Sequence, residues 1–130
     1  MIIRNCRMAL SRSEPRTTSA DLAKKMIDVL AERQADDIVL LDISKVCDFA
    51  DYFVIATGQN VRQLQTLQGY LDSELGGSDG LKAHREGTAD SGWILMDYGD
   101  IIVHLFSPAQ RDYYDLESLW KQGTEVVRLQ

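Results

Sequence analysis

"SGWILMDYGDIIVHLF", Ser91–Phe106, holds two apolar runs separated by a Tyr-Gly pair. Runs this short and rich in branched residues read as strands. A gap of only Tyr98, Gly99 and Asp100 lets them pair as an antiparallel hairpin. Along the first run Trp93 and Leu95 share one face, and Ile94 and Met96 share the other. One face meets helices. Whether Trp93 lies in the core or stands on the surface is open from this stretch alone.

Working outward, Ser107 is an N-cap, Pro108 suits the first helical position, and Gln110 has capping-box spacing. Tyr113, Leu116, Leu119 and Trp120 give this helix an apolar face, and Gly123 ends it. Upstream, residues 82–87 read as a further strand. "GGSDG", residues 76–80, stops a helix that Asn60 caps and that carries Val61, Leu64, Leu67, Leu71 and Leu75 in one stripe. "YFVIAT", residues 52–57, and "DIVLLDI", residues 37–43, are nearly continuous apolar runs, the pattern of central strands buried on both faces. Leu22, Met26, Ile27, Leu30 and Ala31 recur at helical spacing after a cap at Thr18 or Ser19, with Asp21 in the first turn. The order α-β-β-α-β-β-β-α predicts an α/β (α+β) fold, a mixed five-stranded sheet with helices packed on it. The step over residues 52–86 suits a right-handed crossover.

A length of 130 residues predicts one domain: a basic arm over 1–17, a body over 18–123 and a tail over 124–130. The net charge is −6. Residues 1–16 hold four arginines against one glutamate, +3, so the remaining ten basic and nineteen acidic residues carry −9. An acidic body opposes general nucleic-acid binding and suits a basic protein partner. Met8 is an alternative start. No apolar run approaches ~18 residues, so no membrane span is expected. Cys6 and Cys47 have no metal-ligand spacing and read as free thiols in a reducing compartment.

Chemistry finds little purchase. Asp97 and Asp100 suit a turn better than a cation site, because the only loop resembling a phosphate cradle, "TGQNVRQ", has one Gly and no Lys. His104, mid-strand between Ile102 and Phe106, reads as structural. His84 has no nucleophile beside it in any motif. Arg62 and Gln63 stand in the first turn of a capped helix. No catalytic residue, cofactor or metal is expected.

Three stretches taken together, "DIVLLDISKVCDFADYFVIATGQNVRQ", "EGTADSGWILMDYGDIIVHLF" and "RDYYDLESLW", resemble the ribosomal silencing factor family, the Iojap-related proteins. The likeness covers roughly residues 20–121. Asn60 stands where that family often has Ser, and both cap helices. The resemblance implies a nucleotidyltransferase-like fold without the catalytic carboxylates, acting in the cytoplasm and not as an enzyme. It implies binding to universal large-subunit ribosomal protein fourteen, a steric block of subunit joining when nutrients are scarce, and a role in ribosome assembly. It points to Trp93, Leu95, Asp97, Tyr98 and Asp100 as the ribosomal-protein contact, Trp93 as apolar anchor and the aspartates as charge complement. Tyr52, Arg62, Gln63, Tyr114 and Trp120 are structural or secondary. Little direct nucleic-acid contact is expected, and a homodimer of the free protein is left open. Two rivals are a metal-dependent nucleotidyltransferase-like enzyme using Asp97 and Asp100, and an RNA-binding assembly factor using the arm.

Overall fold

The computed structural model describes residues 19–45, 47, 50–78, 83–116 and 124–129. The elements are α1 (Ser19–Glu32), β1 (Asp36–Asp42), β2 (Tyr52–Thr57), α2 (Val61–Ser78), β3 (His84–Thr88), β4 (Trp93–Asp97), β5 (Ile101–Phe106), α3 (Pro108–Tyr114) and β6 (Thr124–Leu129). The sheet is mixed and ordered β3-β4-β5-β2-β1-β6. It has six strands, one more than the sequence pattern predicts. The segment read as a tail pairs antiparallel with β1, Leu129 opposite Ile38. Its TEVVRL pattern is short and terminal, so only pairing with β1 identifies it as a strand.

The β4–β5 hairpin forms as expected, with Trp93 opposite Phe106 and Asp97 opposite Ile102. β2 and β5 lie side by side in parallel. The β2-α2-β3 step leads to a strand parallel to β2, but β5 and β4 intervene between them.

Alternation in the central strands sorts the core into two layers. Ile38, Leu40, Val54, Ala56, Ile94, Met96, Val103 and Leu105 face α1 and α2, whose Met26, Leu30, Leu64, Leu67, Leu71 and Leu75 are fully buried or nearly so. Each such leucine contributes roughly 1.5–3 kcal/mol. Val39, Leu41, Phe53, Ile55, Trp93, Leu95, Ile102 and Phe106 make the opposite layer, with Leu116 and Tyr114 packed on it. Strands covered on both faces need no polar alternation, which is why β1, β2 and β5 are continuous apolar runs.

Two helix ends differ from expectation. α2 runs through Gly76 and Gly77 to Ser78. α3 stops at Tyr114, because Asp115 takes a left-handed conformation (φ 44°) and its amide bonds back to the Arg111 carbonyl. Leu119, Trp120 and Gly123 lie outside the described residues, as does the cap expected at Thr18. The other caps form: the Asn60 Oδ1 accepts from the Gln63 amide at 2.8 Å, and the Ser107 Oγ from the Gln110 amide at 3.3 Å. Among the described residues no helix is long and apolar enough to cross a membrane.

Candidate functional site

Strand alternation puts Trp93, Leu95 and Asp97 on the sheet face away from α1 and α2. The β3–β4 register adds Thr88, Glu86 and His84 opposite them in turn. α3 crosses that face and sets Gln110 and Tyr114 against it. The result is a pocket of about 160 Å³ lined by Glu86, Gly87, Ser91, Trp93, Leu95, Gln110 and Tyr114.

Trp93 is only 5% exposed. Its indole N–H donates to the His104 Nδ1 at 3.1 Å. Its ring centroid is 4.3 Å from that of Tyr114 and 4.9 Å from that of Phe106. This resolves the question left open by the sequence: Trp93 is a core residue that lines a pocket, not a projecting anchor. Leu95 is likewise buried. The exposed aromatic of this region is Tyr113, 77% exposed, packed edge-on against Tyr114.

His104 is fully buried beneath the tryptophan, and burial pushes its pKa down to about 3, so it is neutral. Accepting at Nδ1 leaves the proton on Nε2, which has no hydrogen-bond partner among the described residues. The Phe53 ring lies 4.7 Å away, inclined at 67°.

Two glycines make the pocket buildable. Gly87 has φ +83°, and a Cβ there would stand 2.1 Å from the Trp93 carbonyl oxygen. Gly92 has φ +86°, and a Cβ there would meet Gln110 and the Ser107 hydroxyl, both at 2.7 Å. The second lets β4 begin directly under the cap of α3.

The remaining expected contact residues divide. The Asp97 carboxylate closes the hairpin tip by accepting from the Gly99 amide at 2.8 Å. The Asp100 carbonyl accepts from the Asp51 and Tyr52 amides, anchoring the start of β2. Tyr98 sits on the opposite face, against the α1–α2 layer. Its hydroxyl is buried, and burial first, then the nearby Asp72 carboxylate, pushes its pKa up against the opposing pull of Arg85. Trp93, Leu95 and Asp97 therefore share a surface that Tyr98 does not. Among the described residues no group of three or more His, Cys, Asp or Glu side chains is placed to hold a metal ion.

Of the secondary residues, Gln63 accepts from the Gln59 amide at 2.7 Å and donates to the Gln34 carbonyl, Arg62 is exposed, and Tyr52 packs on the inner layer. Trp120 lies outside the described residues.

Sequence reasoning missed Glu86 and Gln110 as pocket residues. The pairing of β3 with β4, once known, identifies Glu86 by alternation. It also missed the tie between α3 and β1. Arg111, 7% exposed, donates to the Thr57 hydroxyl at 2.7 Å and pairs with Asp37 at 3.3 Å, and Arg128 pairs with the same carboxylate at 2.6 Å. Asp37 reaches both because it sits at a β-bulge, in a left-handed conformation (φ 46°) where the register shifts.

The comparisons with known proteins agree with this architecture. The family model described as "Ribosomal silencing factor during starvation" matches residues 16–130. A ribosomal silencing factor of Zymomonas mobilis is 37% identical over 104 residues, 80% of this chain and 78% of that one. A crystal structure of a Chromobacterium violaceum protein superposes with a TM-score of 0.76 at 34% identity, covering 81% of this chain and 88% of that one. The mouse protein named "Mitochondrial assembly of ribosomal large subunit protein 1" is 30% identical over 98 residues, 73% of this chain and 43% of its own length.

Proposed function

Because the chain belongs to the ribosomal silencing factor family, a family of translation regulators, we propose that it represses translation by binding, not by catalysis. In this reading it binds the large ribosomal subunit through universal large-subunit ribosomal protein fourteen and sterically blocks the small subunit from joining. Nutrient limitation is the setting in which this repression is used. The family match over residues 16–130 carries the reading. An acidic body supports it, since a basic ribosomal protein is the complementary partner. The name of the mouse relative supports the choice of the large subunit and a further part in its assembly.

We assign the contact to the sheet face that holds Trp93, Leu95 and Asp97, with Glu86 and Tyr114 beside them and Tyr113 projecting from the same helix. Trp93 and Leu95 form its floor. Asp97 supplies charge, and Tyr98 and Asp100 hold the hairpin tip in shape from behind. The geometry favours this over metal-dependent nucleotidyl transfer: the Asp97 carboxylate serves its own turn, and Asp100 anchors β2 through its backbone.

The test is sedimentation of the purified protein with isolated large subunits, without nucleotide, before and after small subunits are added. Co-sedimentation with large subunits and fewer joined ribosomes is the expected result. A protein that stays unbound overturns the proposal.

A further inference from the structure

We infer that Arg111 is a positioning residue of the partner-binding surface: by gripping Thr57 and Asp37 it sets the rotation of α3 about its own axis and so aims Tyr113 at the ribosomal partner. The inference rests on the ribosome-binding reading. It adds to that reading two residues, Arg111 and Asp37, that the contact surface itself does not include.

α3 has seven residues, too few for a helix to hold itself in water. Its setting comes from what the rest of the chain grips. The Ser107 amide donates to the Gly92 carbonyl at 2.8 Å and fixes the start. The left-handed Asp115 and the buried Leu116 fix the end. Between them Arg111, 7% exposed, is turned to the sheet.

Helix geometry links that anchor to the surface. At 3.6 residues per turn, positions two apart point about 200° from one another. Arg111 held against the sheet therefore turns Tyr113 to solvent, where it is 77% exposed. Tyr114, three positions from Arg111, stays on the sheet side, its ring centroid 4.3 Å from that of Trp93. A rotation that released Arg111 would displace both tyrosines together.

The grip is directional. The Arg111 Nη1 donates to the Thr57 hydroxyl at 2.7 Å, and its Nη2 lies 3.3 Å from an Asp37 carboxylate oxygen. Thr57 ends β2 and Asp37 lies on β1, the first and second strands beyond β5 in the sheet. A planar guanidinium held at two nitrogens is fixed in orientation, whereas an ammonium is a point charge. Arg128 holds the other Asp37 oxygen at 2.6 Å and keeps the carboxylate in place. Asp37 meets Arg111 from a left-handed conformation (φ 46°), where β1 shifts its register on β2. Such backbone strain persists where the surroundings over-determine it. A partly buried ion pair adds little stability over an apolar contact of the same size, so orientation is the better account of this one.

The experiment is a double-mutant cycle. Arg111→Lys, Asp37→Asn and Tyr113→Ala, and each of the first two combined with the third, are compared for large-subunit affinity at a temperature where circular dichroism shows every variant folded. Asp37→Asn keeps the shape and the tolerance for a left-handed backbone. Tyr113→Ala should weaken binding by about fivefold. Arg111→Lys and Asp37→Asn should each weaken it by roughly threefold or more, and most of that loss should vanish in the Tyr113→Ala background, because a side chain already absent cannot be misaimed. Wild-type affinity for both single variants, or losses that simply multiply with that of Tyr113→Ala, overturns the inference. Amide exchange of residues 109–114 in the free chain keeps it separate from the ribosome reading. Arg111→Lys should speed that exchange by roughly threefold or more, and by more than it speeds the exchange of α2. If the wild-type chain does not bind large subunits, the ribosome reading falls, and exchange alone decides whether Arg111 sets α3. Unchanged exchange overturns that assignment.

Discussion

The indole of Trp93 and the imidazole of His104 are joined by a 3.1 Å hydrogen bond inside an otherwise apolar layer. Neighbouring strands contribute the two residues, and Leu95 is directly opposite His104 in the sheet. The bond solves one problem and leaves another. A buried indole N–H needs an acceptor, and the histidine supplies it. The histidine then keeps a buried N–H of its own, for which the Phe53 ring is the nearest aromatic contact.

His104→Phe should therefore destabilise the fold by about 1–3 kcal/mol, the cost of an unsatisfied buried donor. Urea unfolding at pH 7 measures it. A variant as stable as wild type would mean that the Trp93 N–H finds another acceptor.

The same histidine gives acid sensitivity of defined sign. Its folded pKa is lowered from 6.5 to about 3, so the unfolded chain takes up the proton first. This contribution is complete above about pH 6.5 and is lost progressively as pH falls from there toward 3. Unfolding free energies measured at pH 7 and pH 4.5 should differ more for wild type than for His104→Phe. Equal differences would assign the acid sensitivity to other groups.

Two glycine substitutions should act in opposite directions. Gly87→Ala forces a Cβ toward the Trp93 carbonyl at a positive φ, and should cost about 1–3 kcal/mol. Gly69→Ala, in the middle of α2 with open space around it, should stabilise by about 0.5–1 kcal/mol. Thermal melts of both variants read the two signs together.

Tyr113→Ala separates binding from folding, which Trp93→Ala does not. Truncating a buried tryptophan costs about 3–5 kcal/mol of stability whatever it does to a partner. Tyr113 is on the surface, so its loss should leave the melting temperature nearly unchanged and weaken large-subunit binding by about 1 kcal/mol or more. Unchanged affinity would move the contact away from α3.

Arg111→Met should loosen α3. It removes the donor to Thr57 and one of the guanidinium partners of Asp37, and a cost of about 1–3 kcal/mol is expected after allowing for the partial exposure of Asp37. Arg128→Gln breaks the more exposed pair at the β6 edge and should cost less than Arg111→Met. Denaturant midpoints give the order, and the reverse order would put the weight of the network on the edge strand.

Local chemistry determined much of this protein. The bounds of β2 and β5, the β4–β5 hairpin, the caps at Asn60 and Ser107, and the inner leucine stripe of α2 follow from spacing and residue type over a few positions. The family followed from combined motifs that no other part of the reading supplied. Tertiary structure decided the rest. Alternation says that Trp93 and Leu95 share a face, but not what covers it; α3, halted early by Asp115, lays Tyr114 across them. Whether residues 124–129 are a tail or an edge strand depends on β1 having an open side. Glu86 becomes a pocket residue only when β3 takes its register on β4, and Asp37 a junction only when a bulge turns it toward Arg111 and Arg128. Each of these depends on residues distant in sequence meeting in space, and a periodicity of two or 3.6 carries no information about that meeting.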